Sequence, residues 1–203
     1  MSILIDLHKL TAEISARLVR STAESLDEDI TQSLAEVIPA LNADRGGLVS
    51  VGNGSPLAHV AHVCYADGIK EVARDINLVE HFPWAYQTMV VQQRIVSITS
   101  LSDFPPEAEI DKRSHEAIGT RSILSVPLMI GQRVHHILVL HAVKTEQYWL
   151  EEVVARSGSL ARYSSAPCSA ASPSSSSRTP GIGWNWRHDP QGVGCGNSIL
   201  RAE

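Results

Sequence analysis

Cysteine is scarce: three residues at irregular spacing in a chain of 203. That is too few and too uneven for a disulfide framework, and it points to a reducing compartment, the cytoplasm. Basic residues are outnumbered, 17 Lys and Arg against 22 Asp and Glu, for a formal net charge of -5. No cluster of Lys and Arg marks a nucleic-acid surface. No apolar run approaches the ~20 residues that cross a bilayer. The N-terminus lacks a basic region followed by an apolar core and a small-residue cleavage site, so neither a signal peptide nor a membrane partner is expected. Catalytic signatures are missing too: there is no Walker loop, dinucleotide fingerprint, nucleophile elbow or HExxH. The length leaves room for one ordinary domain with appendages.

What is present centres on Gly119 to Leu140, GTRSILSVPLMIGQRVHHILVL. Two runs rich in Val, Ile and Leu are joined at Gly131-Gln132, a pair that suits a type II′ hairpin turn. Along the second run Val134, His136, Leu138 and Leu140 alternate with His135, Ile137, Val139 and His141. Neither set is polar, so the hairpin belongs inside a sheet with cover on both sides. Pro127 cannot donate to a ladder and predicts a bulge or an unpaired edge.

The remaining segments supply that cover. Residues 3–20 carry a helical stripe, Ile3, Leu7, Leu10, Ile14, Leu18 and Val19. A second helix starts at Ser25 or Asp27 and runs through Leu34 and Ile38 to the neighbourhood of Pro39 and Asn42. Residues 46–51 and 57–65 read as strands around a GNGSP turn, and 66–80 as loop. A helix is expected over 80–94, with Pro83 in its first turn, then a short strand over 94–98. Another helix spans Glu107–Ile118, and Gly119 ends it in a left-handed cap. A last helix opens at Trp149. This order predicts an α+β sandwich with a mixed or antiparallel sheet, terminal helices on one face and a capped pocket on the other.

Three stretches carry a resemblance: the opening helix pair through LNADRGGLVSV, EHFPWAYQTMVVQQRIVSI, and PPEAEIDKRSHEAIGTRSILSVPLMIGQRVHHILVLHAV. Over roughly residues 10–156 the chain resembles a GAF domain, of the type at the input end of bacterial sensor histidine kinases and enhancer-binding regulators. The resemblance implies a sheet of about six strands, a ligand cavity opposite the terminal helices, and a homodimer formed through those helices. It implies a sensory role in signal transduction, with any kinase activity in a separate output domain. The ligand and any cofactor stay unnamed. The Asn-Lys-Phe-Asp-Glu signature of cyclic-nucleotide GAF domains is absent. So is the Cys-His pair that attaches bilins, although Ser114-His115 lies in a comparable helix. Cys64 is the only cysteine in the matching part, so a multi-cysteine sulfoxide reductase site cannot be built there.

The ligand-binding candidates are Phe82, Trp84, His115, Arg121 and Ser125. Phe82 and Trp84 are aromatic residues that line a pocket or simply fill the core. Arg121 offers a planar fork to an anion, or pairs with Glu116 or Asp111. The acidic helix Glu107–Glu116 reads as a solvated face. No catalytic and no metal-ligating residue is assigned. His59 and His62, three apart on a strand, are expected on opposite faces, and a ligand set would have to combine strands, for instance His62 and Cys64 with His136. Cys64 reads as a small core residue, with a redox thiol served by His62 as the enzymatic alternative. A ligand-free dimerisation scaffold is the other alternative.

The domain is expected over 1–156, with its closing helix truncated. From Ser157 the chain turns to Ser, Pro and Gly, the composition of a disordered low-complexity tail. Two tryptophans in GIGWNW fit that poorly. Read one base out of frame, Trp-Asn becomes Glu and Asn-Trp becomes Leu, both good helix formers. Residues 157–203 are therefore also read as a frameshift product of a longer relative.

Overall fold

In the computed structural model, residues 2–52 and 55–149 are described. The central hairpin pairs β5 (Ser122–Ile130) with β6 (Arg133–Ala142). Gly131 takes a positive φ of 64° and Gln132 does not, the signature of the II′ turn that its sequence demands. The register slips between Leu128 and Met129, one residue past Pro127. On the other side of β5, the pairing with β4 (Val96–Ile98) ends at Ser125, so Pro127 lies beyond its reach. Both consequences expected of the proline are found.

Around this hairpin the sheet is built from β1 (Arg45–Val51), β2 (Leu57–Tyr65) and β3 (Asp75–Asn77). The strand order is β3-β2-β1-β6-β5-β4, and every pairing is antiparallel. The α+β reading and the six strands stand. β3 lies within a segment read as loop: three residues carry no period, and Asp75 is held there by pairing with His59 on β2.

One face of the sheet packs against α2 (Leu26–Ala40) through Ile38, Leu124, Val126, Leu138 and Leu140. Gly46 permits this approach, since a Cβ there would meet Leu140 Cδ2 at 2.8 Å and Ile38 Cγ1 at 2.9 Å. α2 ends in a two-bond cap. Asn42, at a φ of 52°, donates to the Pro39 carbonyl at 3.1 Å and Ala43 donates to the Ile38 carbonyl at 2.9 Å, so asparagine does here what glycine usually does. α1 (Ser2–Arg20) runs beside α2, tied by Arg17 to Glu36 at 2.7 Å and to Ser33 at 3.1 Å. Leu10 and Ile14 of its stripe are half-buried, while Val19 is 86 % exposed. Trp149 is buried against Leu124 and Val126 on the α2 face. The closing helix after it, and the tail from 157, lie outside the described residues.

The opposite face carries α3 (Leu78–His81), α4 (Pro83–Tyr86), a π turn over Gln87–Val91 and α5 (Glu109–Ala117). The single helix expected over 80–94 is thus three pieces. Pro83 starts a new helix instead of continuing one, and the wide turn follows it. Met89, Val96, Ile123, Val134 and Ile137 form the core here, with Phe82, Trp84 and Phe104 packed on it. α5 ends as expected: Gly119 has a φ of 71°, and Thr120 donates back to the His115 carbonyl at 2.9 Å.

Two bulges change which side chains share a face. The β1–β2 register passes from Leu48↔His62 to Val49↔Val60, leaving Ala61 unpaired. His59 and His62 are therefore on the same face, not opposite ones, because one extra residue reverses the alternation. Likewise His135 is skipped between Leu128↔His136 and Met129↔Val134. Among the described residues no helix is long and apolar enough to cross a membrane.

Candidate functional site

The face opposite α2 holds a buried polar centre. Arg45 opens β1 and His141 lies directly beside it on β6. Both side chains share the face of Val49 and Ile137 by strand alternation. Arg45 is 3 % exposed and His141 9 %. The guanidinium donates to His141 Nδ1 from Nε at 3.2 Å and from Nη2 at 2.9 Å, and Nη2 also donates to Thr120 Oγ1 at 2.7 Å. Because Nδ1 accepts, the His141 proton sits on Nε2. That nitrogen is buried and has no partner among the described residues.

α5 contributes the next residue. His115 is 6 % exposed, its ring 5.3 Å from that of His141 and set edge-on to it. Its Nδ1 is also buried without a partner among the described residues. Phe82 lies 4.8 Å from the imidazole and Phe104 stacks on it at 5.8 Å, while Trp84 meets Phe104 edge-on. Burial, reinforced by the Arg45 charge, pushes the His115 pKa down to about 3. The same two causes, with His115 adding to them, hold His141 well below its usual value. Both imidazoles are neutral at pH 7. Arg45 itself is pulled down by burial, opposed by Tyr65.

Asp111 anchors the wall of this centre. It is fully buried and accepts the Trp84 amide at 3.1 Å and the Ala85 amide at 2.8 Å, capping α4 from α5. Burial raises its pKa, and these backbone bonds oppose the rise. The acidic helix is therefore not a solvated face throughout. Asp111 and His115, four apart, form its buried side.

Of the five residues singled out in the sequence, three converge: Phe82, Trp84 and His115. Ser125 is buried on β5, on the same face as Ile123, where it pairs with Val139 of β6. Arg121 is exposed and donates to the Val143 carbonyl at 3.1 Å, so the ion pair with Glu116 or Asp111 does not form. It lines an open cleft of about 340 Å³ with Leu101, Glu116, Gly119, Thr120 and Glu146. Arg45 and His141 were not among the candidates. Their signal was a cation at the head of a buried strand, and a histidine in phase with Ile137 and Val139.

Cys64 lies on the α2 face, where its thiol donates to the Thr31 carbonyl at 3.5 Å. His62, on the same face, lies 3.5 Å from Asp27 and 3.5 Å from the Thr31 hydroxyl. Among the described residues no three His, Cys, Asp or Glu side chains gather as a metal site.

The arrangement of helices about this antiparallel sheet can be set beside solved structures. The phycocyanobilin-bound GAF domain of a cyanobacterial phytochrome matches with a TM-score of 0.63 at 18% identity, over 75% of this chain and 88% of that one. The fold is that of a GAF domain. The blue-light absorbing form of the Thermosynechococcus elongatus PixJ GAF domain matches with a TM-score of 0.52 at 21% identity, over 66% of this chain and 80% of that one. The chromophore-binding domain of the Stigmatella aurantiaca bacteriophytochrome matches with a TM-score of 0.61 at 13% identity, over 80% of this chain and 59% of that longer one. No protein-family model and no curated protein matches the sequence. At these identities the likeness is one of fold, so the GAF architecture is shared while the site is this chain's own.

Proposed function

We propose that this chain is a sensory input module of a signalling protein, a cytoplasmic GAF domain that binds a small molecule between the sheet and α3–α5. Its output would lie in an attached module, a sensor histidine kinase of a two-component system or a transcription regulator, and it would work as a homodimer through its terminal helices. The observation that carries the reading is the pair of buried imidazoles, His115 and His141, each with a nitrogen that has no partner among the described residues, beside a wall of aromatic rings. Buried polar groups are ordinarily hydrogen-bonded, and a few convergent polar atoms in an apolar surround are how small-molecule sites are built. Solved neighbours of the same fold, named as bilin-bound and light-absorbing, add support. α5 carries no cysteine, so no thioether to that helix is part of this reading. The ligand acts by preferring one arrangement of the terminal segments over another, and can shift that equilibrium only by its difference in affinity.

The test is a melting-temperature screen of the full chain against tetrapyrroles, nucleotides and aromatic acids, followed by titration of hits into His141→Phe. At least one compound should raise the melting temperature, and the variant should bind it at least tenfold more weakly. A screen without hits, or hits indifferent to the variant, counts against the reading. The close packing of Phe82 on His115 favours a second reading, a dimerisation scaffold without ligand, which an empty screen together with a stable dimer would support.

A further inference from the structure

The open cleft of about 340 Å³ is lined by opposite charges, Arg121 with Glu116 and Glu146. None of the ion pairs among the described residues involves any of the three. Bonds to other partners hold two of them in place. Arg121 donates from Nε to the Val143 carbonyl at 3.1 Å, which leaves both Nη groups without an acceptor among the described residues. Glu146 accepts the Ser100 hydroxyl at 2.8 Å through Oε1, which leaves Oε2 open. Ser100 is itself fixed, its amide donating to Asp103 at 2.9 Å. Glu116 sits in the last turn of α5, the helix that Asp111 fastens to α4. Charges positioned before a ligand arrives lower the ordering cost of binding it.

The charge count selects the ligand. One guanidinium and two carboxylates are matched by one carboxylate and two cations. The planar fork of Arg121 suits the carboxylate. Leu101, half-buried in the same cleft, offers apolar contact, and Gly119 adds no side chain to fill the space. We infer that this cleft binds a basic amino acid, with its carboxylate on Arg121, its two ammonium groups on Glu116 and Glu146, and its methylene stem along Leu101. The volume falls at the lower end of the range of small-molecule sites, as a ligand of this size requires. The site is separate from the one proposed above, because neither His115, His141, Phe82 nor Phe104 lines the cleft. All three charged residues are exposed, so each ion pair contributes little and the affinity falls in the millimolar range.

The experiment follows the backbone amide spectra of the full chain during titration with L-lysine, L-norleucine and cadaverine. Norleucine lacks the side-chain cation of lysine, and cadaverine lacks its carboxylate. Lysine should bind about threefold more tightly than either, and less tightly as sodium chloride is added. The amides of Gly119, Arg121 and Glu146 should move. Arg121→Gln should abolish the advantage of lysine over cadaverine, and Glu116→Gln should weaken lysine about threefold. Both positions are exposed, and surface substitutions of this kind leave the fold in place. Equal binding of the three compounds overturns the inference, as does lysine binding indifferent to both variants. Movement confined to amides outside the cleft, or no movement with lysine, overturns it as well. The compound screen and His141→Phe test the other site independently.

Discussion

Asp111 reaches from α5 to accept the Ala85 amide at 2.8 Å, and so fixes α4 to the helix that carries His115. The carboxylate is fully buried, and its second oxygen holds the Trp84 amide. Removing it leaves two amides short of an acceptor where water does not replace it. Asp111→Ala should lower stability by about 3 kcal/mol, given ~1–3 kcal/mol for each buried group left unpaired. Denaturant unfolding measures this, and a loss below about 0.5 kcal/mol, the level of an ordinary surface change, would contradict the anchoring role.

The two buried histidines set an acid dependence. Each has a folded-state pKa below its unfolded value, so the unfolded chain binds the proton more readily. The stability gained by keeping them neutral is full above about pH 6.5 and is lost as the pH falls towards the depressed values, at up to about 1.4 kcal/mol per pH unit for each group. Asp111, raised by burial, works in the opposite sense, favouring the fold as it becomes protonated. His115→Phe should reduce the slope between about pH 6 and pH 4 by one proton's worth. An unchanged slope in urea unfolding across that range would show that His115 is not a buried neutral group.

Gly46 sets the distance between α2 and the sheet. A methyl group there would press on Leu140 and Ile38, both side chains of the core. Gly46→Ala should cost about 1–3 kcal/mol through overpacking. The melting temperature gives the answer, and a neutral variant would mean that α2 can move off the sheet without penalty.

Asn42 occupies a left-handed position with a φ of 52°. Glycine adopts it without a Cβ penalty, so Asn42→Gly should be neutral or stabilising by up to about 1 kcal/mol, and Asn42→Ala destabilising by a similar amount. The reverse order in unfolding experiments would contradict the cap.

The hairpin, the α2 stripe and the Gly119 cap were legible because each rests on a local rule: a period of two, a period of 3.6, a backbone that needs a positive φ. The broken helix after Leu78 was not, because Phe82, Tyr86 and Met89 keep a helical spacing through a π turn that composition does not announce. The faces of His59 and His62 were misread for one reason, the extra residue at Ala61. A bulge is a property of the pairing between two strands, and neither strand shows it alone. The site was half legible. Phe82, Trp84 and His115 are close in sequence to proline and glycine signals that place them, whereas Arg45 and His141 meet only when β1 pairs with β6, 96 residues apart in the chain.

The central claim is that the face carrying α3, α4 and α5 is where this GAF fold binds its ligand. The crystal structure of the full chain with the compound that most raises its melting temperature tests it directly. The account predicts that compound against Phe82 and Phe104, within hydrogen-bond distance of His141 Nε2. A compound seated instead beside Cys64 and Tyr65 on the α2 side, or along the terminal helices, would contradict it.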